Sequence, residues 1–280
     1  MQTKSITNLD RYDIISWVIV ILFFLTSSVI FHGNTTNSIL GALGIILLMV
    51  IISISITVLL DVMKNHSKVG EIAGYITNGP EALCLIVGLV HNKIVFAASV
   101  PLGSNFANPI LLICASIITG SFLKVIRTEW KRTWSIIVVS MFIAGGFFWE
   151  SSTSFRLGWV IISLVLSVVL YRTKHDERNH GEKKDEITSR GWIIPAILSL
   201  IIAGYFLDPL VSFTAKNSLI PEGLIGFAVL SFMTSWPEFR STLSLIKMKK
   251  IRSAIMNIVV SNITNIWLAI IGTIIYLVSF

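Results

Sequence analysis

Residues Ile39–Leu60 read ILGALGIILLMVIISISITVLL, a run from 39 to 60 without one Asp, Glu, Lys, Arg or His. Wound as a helix, such a run is about 33 Å long, which matches the roughly 30 Å hydrocarbon core of a bilayer. Ile14–Ile30 and Val160–Leu170 are further apolar runs. Across the 280 residues, 54% are hydrophobic and 13% charged, with mean hydropathy +0.81. A soluble domain carries about 25% charged residues, so this chain has too little charge to cover a water-exposed surface. The fold class expected is all-α, a polytopic transmembrane helical protein.

The net charge of +7 does not point to nucleic acid. Lys and Arg sit mainly in short segments between apolar runs, where they orient membrane helices, and no basic patch interleaves with aromatics. Cys84 and Cys114 lie in apolar stretches and form no CxxC pair; they read as packing residues. Lys4 and Arg11 precede the first apolar run as in a signal peptide. No A-x-A-like exit stands before Phe31-His32-Gly33, so the run reads as a retained helix.

About nine spans are expected, near 13–31, 38–62, 67–91, 93–123, 133–149, 154–171, 191–209, 219–246 and 251–279. The connecting segments alternate in basic content. Lys4 and Arg11, then Lys64 and Lys68, then Lys124, Arg127, Lys131 and Arg132 alternate with segments holding no Lys or Arg, Lys93, and only Arg156. Residues 172–190 are again basic, 210–218 hold only Lys216, and 247–252 carry Lys247, Lys249, Lys250 and Arg252. This alternation implies a cytoplasmic N-terminus and an external C-terminus. The polar stretch from Tyr171 to Arg190 reads as a solvated cytoplasmic linker.

A repeat lies inside this frame. Thr77-Asn78-Gly79-Pro80-Glu81 aligns with Thr234-Ser235-Trp236-Pro237-Glu238 at a shift of 157 residues (77 to 234). The same ungapped shift aligns Gly103-Ser104-Asn105-Phe106-Ala107-Asn108 with Val260-Ser261-Asn262-Ile263-Thr264-Asn265, and Lys93, Ile94 and Ala97 with Lys250, Ile251 and Ala254. In the charge map the span bearing Glu81 runs outward and the span bearing Glu238 runs inward. Two inverted-topology repeats with Pro-broken helices are therefore expected, an arrangement in which secondary transporters bind substrate at mid-membrane. The expected division is an extra N-terminal helix (1–37), a first inverted repeat (38–171), the linker (172–190) and a short second repeat (191–280).

The repeated residues suit a hard cation. A glutamate inside a membrane helix costs several kcal/mol unless compensated, and two occur here. Each follows a proline, which deprives the carbonyl four residues earlier of its donor; those carbonyls belong to Ile76 and Met233. Carboxylates of Glu81 and Glu238, hydroxyls of Thr77, Thr234, Ser104 and Ser261, and amide oxygens of Asn108 and Asn265 make an all-oxygen set. Such a set suits Ca²⁺, which takes about six to eight oxygen ligands. Gly103 allows close helix approach. Taken singly, each motif has an ordinary structural reading: a proline kink, a hydrogen-bonding Glu, a polar contact between helices. Their joint duplication favours a shared ion site.

These motifs resemble the alpha-repeats of the sodium/calcium exchanger family, in the calcium:cation antiporter superfamily, whose pattern is approximately G-T-S-[LPV]-P-E followed by G-S-N-[IF]-x-[ND]. The resemblance covers about residues 70–115 and 227–272. It implies that Glu81 and Glu238 are the central Ca²⁺ ligands, and that Thr77, Thr234, Ser104 and Ser261 line Ca²⁺ or Na⁺ positions. Asn108 and Asn265 complete the centre, and the long helices near 38–62 and 191–209 slide as a gating pair.

The chain departs from the pattern in places. Asn108 and Asn265 are both amides, Asn78 and Gly79 replace Ser and Leu-like positions, and Arg240 lies two residues beyond Glu238. About 200° of helix rotation separates residues two apart, so Arg240 is expected to point away from the site. The second repeat ends after three helices and one helix precedes the first, which implies a divergent short member that completes its fold as a homo-oligomer.

The function expected is a secondary active antiporter in the cell membrane, exchanging Ca²⁺ or a related divalent cation for Na⁺ or H⁺ by alternating access. Its partners would be the transported ions and the lipid bilayer, with no nucleic acid and no resident cofactor. A non-transporting subunit or scaffold that retains the fold is the alternative. An intramembrane enzyme is weaker still: no HExxH, GxSxG or P-loop pattern occurs, and the five histidines fall in loops or at helix ends.

Overall fold

The computed structural model describes residues 11–63, 77–128, 130–173 and 190–279, and every regular element among them is helical. Among the described residues, six helices are long and apolar enough to cross a bilayer, and Gly79–Val90 and Thr133–Gly146 are shorter apolar helices. The chain is an integral membrane protein. Of the expected features, residues 67–76 with the Ile76 carbonyl, and residues 174–189 of the linker, lie outside the described residues.

The chain divides into two compact units, each drawn from two separate stretches of sequence. The first comprises residues 1–64 and 186–225 and holds α1 (Arg11–Ile30), α2 (Thr35–Met63), α8 (Ile193–Ser218) and the single turn α9 (Glu222–Leu224). Helices α2 and α8, the pair expected to move as a gate, pack along one another. A Cβ on Gly44 would lie 2.8 Å from the Leu210 side chain, and one on Gly41 would collide with Thr214. Small residues thus set the approach of these helices, as is usual where lipid gives no hydrophobic drive to association. Asn37 Nδ2 donates to Asn217 Oδ1 at 3.1 Å and pins the ends.

One boundary differs from expectation. The helix predicted to end at 209 continues through Pro209 to Ser218 and stops at Leu219, whose φ is +57°. Pro209 removes one backbone bond, but a membrane bundle tolerates this where neighbouring groups satisfy the freed carbonyl.

The second unit comprises residues 65–185 and 226–280. It contains α3 (Gly79–Val90), α4 (Ile94–Ile118), α5 (Phe122–Arg127), α6 (Trp130–Gly146) and α7 (Thr153–Thr173). After π-helical residues Ile225–Leu230, whose first residue belongs to the other unit, come α10 (Ser231–Thr234), α11 (Trp236–Lys247) and α12 (Ile251–Ser279). The span expected at 93–123 is divided. Helix α4 ends at Gly120 (φ +65°), with Gly120 N–H donating to Ile117 O and Ser121 N–H to Ser116 O. This bond pair is the Schellman stop, which requires a left-handed residue and favours glycine. The span expected at 219–246 is also divided, at Ser235 between α10 and α11.

The 157-residue offset recurs in local structure. Helices α3 and α11 are each 12 residues long, starting at 79 and 236. Both stop in the same way. Asn92 (φ +56°) and Lys249 (φ +62°) are left-handed, and Lys93 and Lys250 donate to Gly88 O and Leu245 O. Helices α4 and α12 then begin at Ile94 and Ile251 and pack along each other.

Candidate cation site

The two prolines begin helices. Pro80 and Pro237 occupy the first turn of α3 and α11, where no amide donor is needed and proline's fixed φ suits the helix. Glu81 and Glu238 follow in the same turns, so each carboxylate sits at the partly positive N-terminal end of a helix. The Met233 carbonyl, expected to be bared by Pro237, shares the Ser235 amide with the Ser231 carbonyl.

Both carboxylates are fully buried, each beside a serine of its own motif. Ser104 Oγ on α4 donates to Glu81 Oε1 at 3.0 Å, and Ser261 Oγ on α12 lies 3.3 Å from Glu238 Oε1. The threonines cross over: Thr234 hydrogen-bonds Glu81, and Thr77 hydrogen-bonds Glu238. Ser104 Oγ also lies 3.4 Å from Thr234 Oγ1. The serine that holds Glu81 thus touches the threonine of the other motif, and Asn108 of the first motif reaches Ser261 beside Glu238, so residues of both motifs meet around the two acids. Helix α4 reaches that centre because Gly103 meets the Phe227 carbonyl and Ser231, where any side chain would push the helices apart. Ser231 Oγ in turn bonds the Phe227 carbonyl of the π-helical stretch; such π segments are frequent at functional sites.

The amides extend the network. Asn108 Nδ2 donates to Ser261 Oγ and to Asn262 Oδ1, both at 3.0 Å. Asn262 Nδ2 donates to Ser140 Oγ at 3.1 Å and approaches the Asn105 carbonyl at 3.4 Å. That carbonyl stands four residues before Pro109, which has no N–H to offer it, so the asparagine takes the place of the missing backbone donor. Asn265 is fully buried on α12, four residues beyond Ser261 and so on the same side of the helix, and neither of its amide atoms has a hydrogen-bond partner.

Several oxygens are left over. Glu81 Oε2, Glu238 Oε2, Asn108 Oδ1 and Asn265 Oδ1 are buried without a hydrogen-bond partner. Leaving a buried polar atom unpaired costs about 1–3 kcal/mol, and more for a charged one; four such oxygens on the candidate residues call for a further partner. The donor set is oxygen only and contains two acids. Among the described residues no group of three or more His, Cys, Asp or Glu is arranged to hold a metal ion. Two carboxylates match the charge of one divalent cation, and neutral oxygens fill the remaining positions, as Ca²⁺ accepts. Arg240 is exposed while Glu238, two residues before it, is fully buried.

Seven of the eight candidate ligands thus fall into two groups, Glu81 with Ser104 and Thr234, and Glu238 with Thr77, Ser261 and Asn108, while Asn265 is buried on α12 without a side-chain partner. Two members escaped the sequence reading. Asn257 Nδ2 donates to the Glu238 carbonyl at 3.3 Å and to Thr242 Oγ1 at 3.1 Å; its one sequence signal is an amide in an apolar run, a turn before Ser261. Asn78 grips Ser261 with both amide atoms, a pairing of residues from different helices that spacing along the chain does not reveal.

Residues 191–279 match the family model described as sodium/calcium exchanger protein. The matched segment carries Thr234-Ser235-Trp236-Pro237-Glu238 and Ser261 to Asn265. No curated protein matches the chain, and no solved structure does.

Proposed function

We propose that the chain, whose residues 191–279 match the model of the sodium/calcium exchanger family, a family of cation transporters, is a secondary active antiporter. It exchanges Ca²⁺, or a related divalent cation, for Na⁺ or H⁺ by alternating access. The observation that carries the reading is the pair Glu81 and Glu238. Both are fully buried, each lies beside a serine of its own motif and a threonine of the other, and each keeps one carboxylate oxygen without a partner. The cation is the substrate, held by these carboxylates with Thr77, Thr234, Ser104, Asn108 and Asn265 as neutral oxygens. Mg²⁺ fits less well, since it gives up its waters reluctantly.

The two motifs are inverted copies, with the N-terminus cytoplasmic and the C-terminus external in the cell membrane. The matching helices α3 and α11 and the crossed threonines support an internal two-fold relation of this kind. The chain works as a homo-oligomer and needs no resident cofactor. Alternating access would open the buried centre to each side in turn, and a counter-ion that competes for the same carboxylates would drive release.

The test is radiolabelled Ca²⁺ uptake into proteoliposomes, first with an outward Na⁺ gradient and then with an outward H⁺ gradient. Glu81→Gln and Glu238→Gln are each expected to abolish uptake. Retained uptake in both variants would remove the assignment. For the alternative of a non-transporting scaffold, calorimetry in detergent would show no saturable Ca²⁺ heat.

A further inference from the structure

The two motifs present their serines differently. Ser104 Oγ donates to Glu81 Oε1 at 3.0 Å, and among the described residues no amide donates to it. Ser261 is engaged twice over. Its Oγ donates to Asn78 Oδ1 at 2.6 Å and receives Asn108 Nδ2 at 3.0 Å, with Glu238 Oε1 farther away at 3.3 Å. An O–H···O bond is best near 2.7–2.8 Å, so the single hydroxyl proton of Ser261 goes to the amide and not to the carboxylate. Asn78 Nδ2 donates to the Ser261 carbonyl at 3.1 Å, which closes a two-point clamp on one residue. Asn78 is 2% exposed and Ser261 is fully buried, so water does not compete for either bond.

The other motif serves as an internal control. The residue 157 positions after Asn78 is Ser235, whose hydroxyl is buried without a partner. Ser104 of α4, the counterpart of Ser261, is gripped by no amide among the described residues and turns to its carboxylate. Ser261 of α12 turns to the Asn78 amide.

We infer that Asn78 is a positioning residue that withdraws Ser261 from the ion's ligand set and makes the two halves of the centre unequal. A hydroxyl has one proton and two lone pairs. Ser261 spends the proton on Asn78 and one lone pair on Asn108, whereas Ser104 keeps its oxygen available beside Glu81. The loss matters most for a monovalent competitor. A divalent cation is held by both carboxylates, but an ion seated on the Glu238 side alone depends on the neutral oxygens beside that one acid. Asn78 therefore weakens monovalent binding on the Glu238 side while leaving divalent binding nearly intact. This inference rests on the exchange reading above.

The experiment uses the full chain in proteoliposomes and measures the half-saturating Ca²⁺ concentration and the external NaCl concentration that halves Ca²⁺ uptake. Asn78→Ser, which places here the residue found in the other motif, is expected to lower the half-inhibiting NaCl about five- to tenfold. Its half-saturating Ca²⁺ should move less than twofold, and the double variant N78S/S261A should restore wild-type inhibition. Unchanged inhibition in N78S, or a collapse of Ca²⁺ turnover in step with it, would overturn the inference. Should N78S not yield monodisperse protein, Ser104→Ala and Ser261→Ala decide. A loss of Ca²⁺ affinity at least fivefold larger for S104A upholds the inequality, and equal losses refute it. Glu81→Gln in the same vesicles keeps the two claims apart, since its effect on uptake tests transport whatever Asn78 does.

Discussion

Thr234 hydrogen-bonds Glu81, although the two belong to different motifs, and Thr77 repays the contact to Glu238. Each acid is therefore supported from both ends of the sequence, and neither motif is complete alone. The centre forms beside the packed pair α4 and α12, whose serines stand next to the two carboxylates.

Replacing either threonine by valine keeps the shape and removes the hydroxyl. A buried carboxylate that loses such a bond costs about 1–3 kcal/mol, or roughly tenfold in affinity for a middle value. Thr77→Val and Thr234→Val should each raise the half-saturating Ca²⁺ about tenfold in the vesicle assay. Unaltered half-saturation in both would show that the crossed contacts do not support the acids in the transport-competent state.

Two glycines make a matched pair for stability. A Cβ at Gly103 would press into the Phe227 carbonyl and lie 2.8 Å from Ser231 Cβ, while one at Gly158 meets nothing within 4 Å. Gly103→Ala should lower the thermal midpoint in detergent, at an overpacking cost of about 1–3 kcal/mol. Gly158→Ala, inside α7, should leave the midpoint unchanged or raise it, since helical Ala is favoured over Gly by roughly 0.5–1 kcal/mol. The reverse order would contradict the close crossing of α4 with the π-helical stretch.

The two asparagines should respond oppositely to an added charge. Asn108 uses its Nδ2 to donate to Ser261 and Asn262, and an aspartate cannot donate when ionised. Asn265 makes no side-chain hydrogen bond, so an aspartate there loses none. Asn108→Asp should therefore destabilise the apo protein by about 1–3 kcal/mol, read by thermal unfolding without Ca²⁺. Asn265→Asp should cost less, and added Ca²⁺ should shift its midpoint more than that of the parent. Equal apo midpoints for the two variants would argue against the amide network.

Much of this was open to reading along the chain. Apolar runs such as Ile39–Leu60 determine a membrane protein because hydropathy and length are sums over neighbouring residues. Pro80-Glu81, Pro237-Glu238 and the Ser/Asn clusters pair at one offset, so the candidate acids emerge without any coordinates.

Other features depend on residues distant in sequence. Pro209 looks like a helix end, yet α8 runs through it, because packing within a bundle outweighs one lost backbone bond. Gly120 divides a long apolar run that periodicity alone treats as continuous. The Asn105 carbonyl bared by Pro109 finds Asn262 on another helix, and Asn78 finds Ser261 183 residues away. Composition and spacing thus determined the membrane class and the paired acids, since both are encoded in local runs and repeats. Only the packed tertiary structure decided which hydroxyl serves a carboxylate and which serves an amide, because one proton goes to the nearest well-aligned acceptor and that distance is set by helix packing.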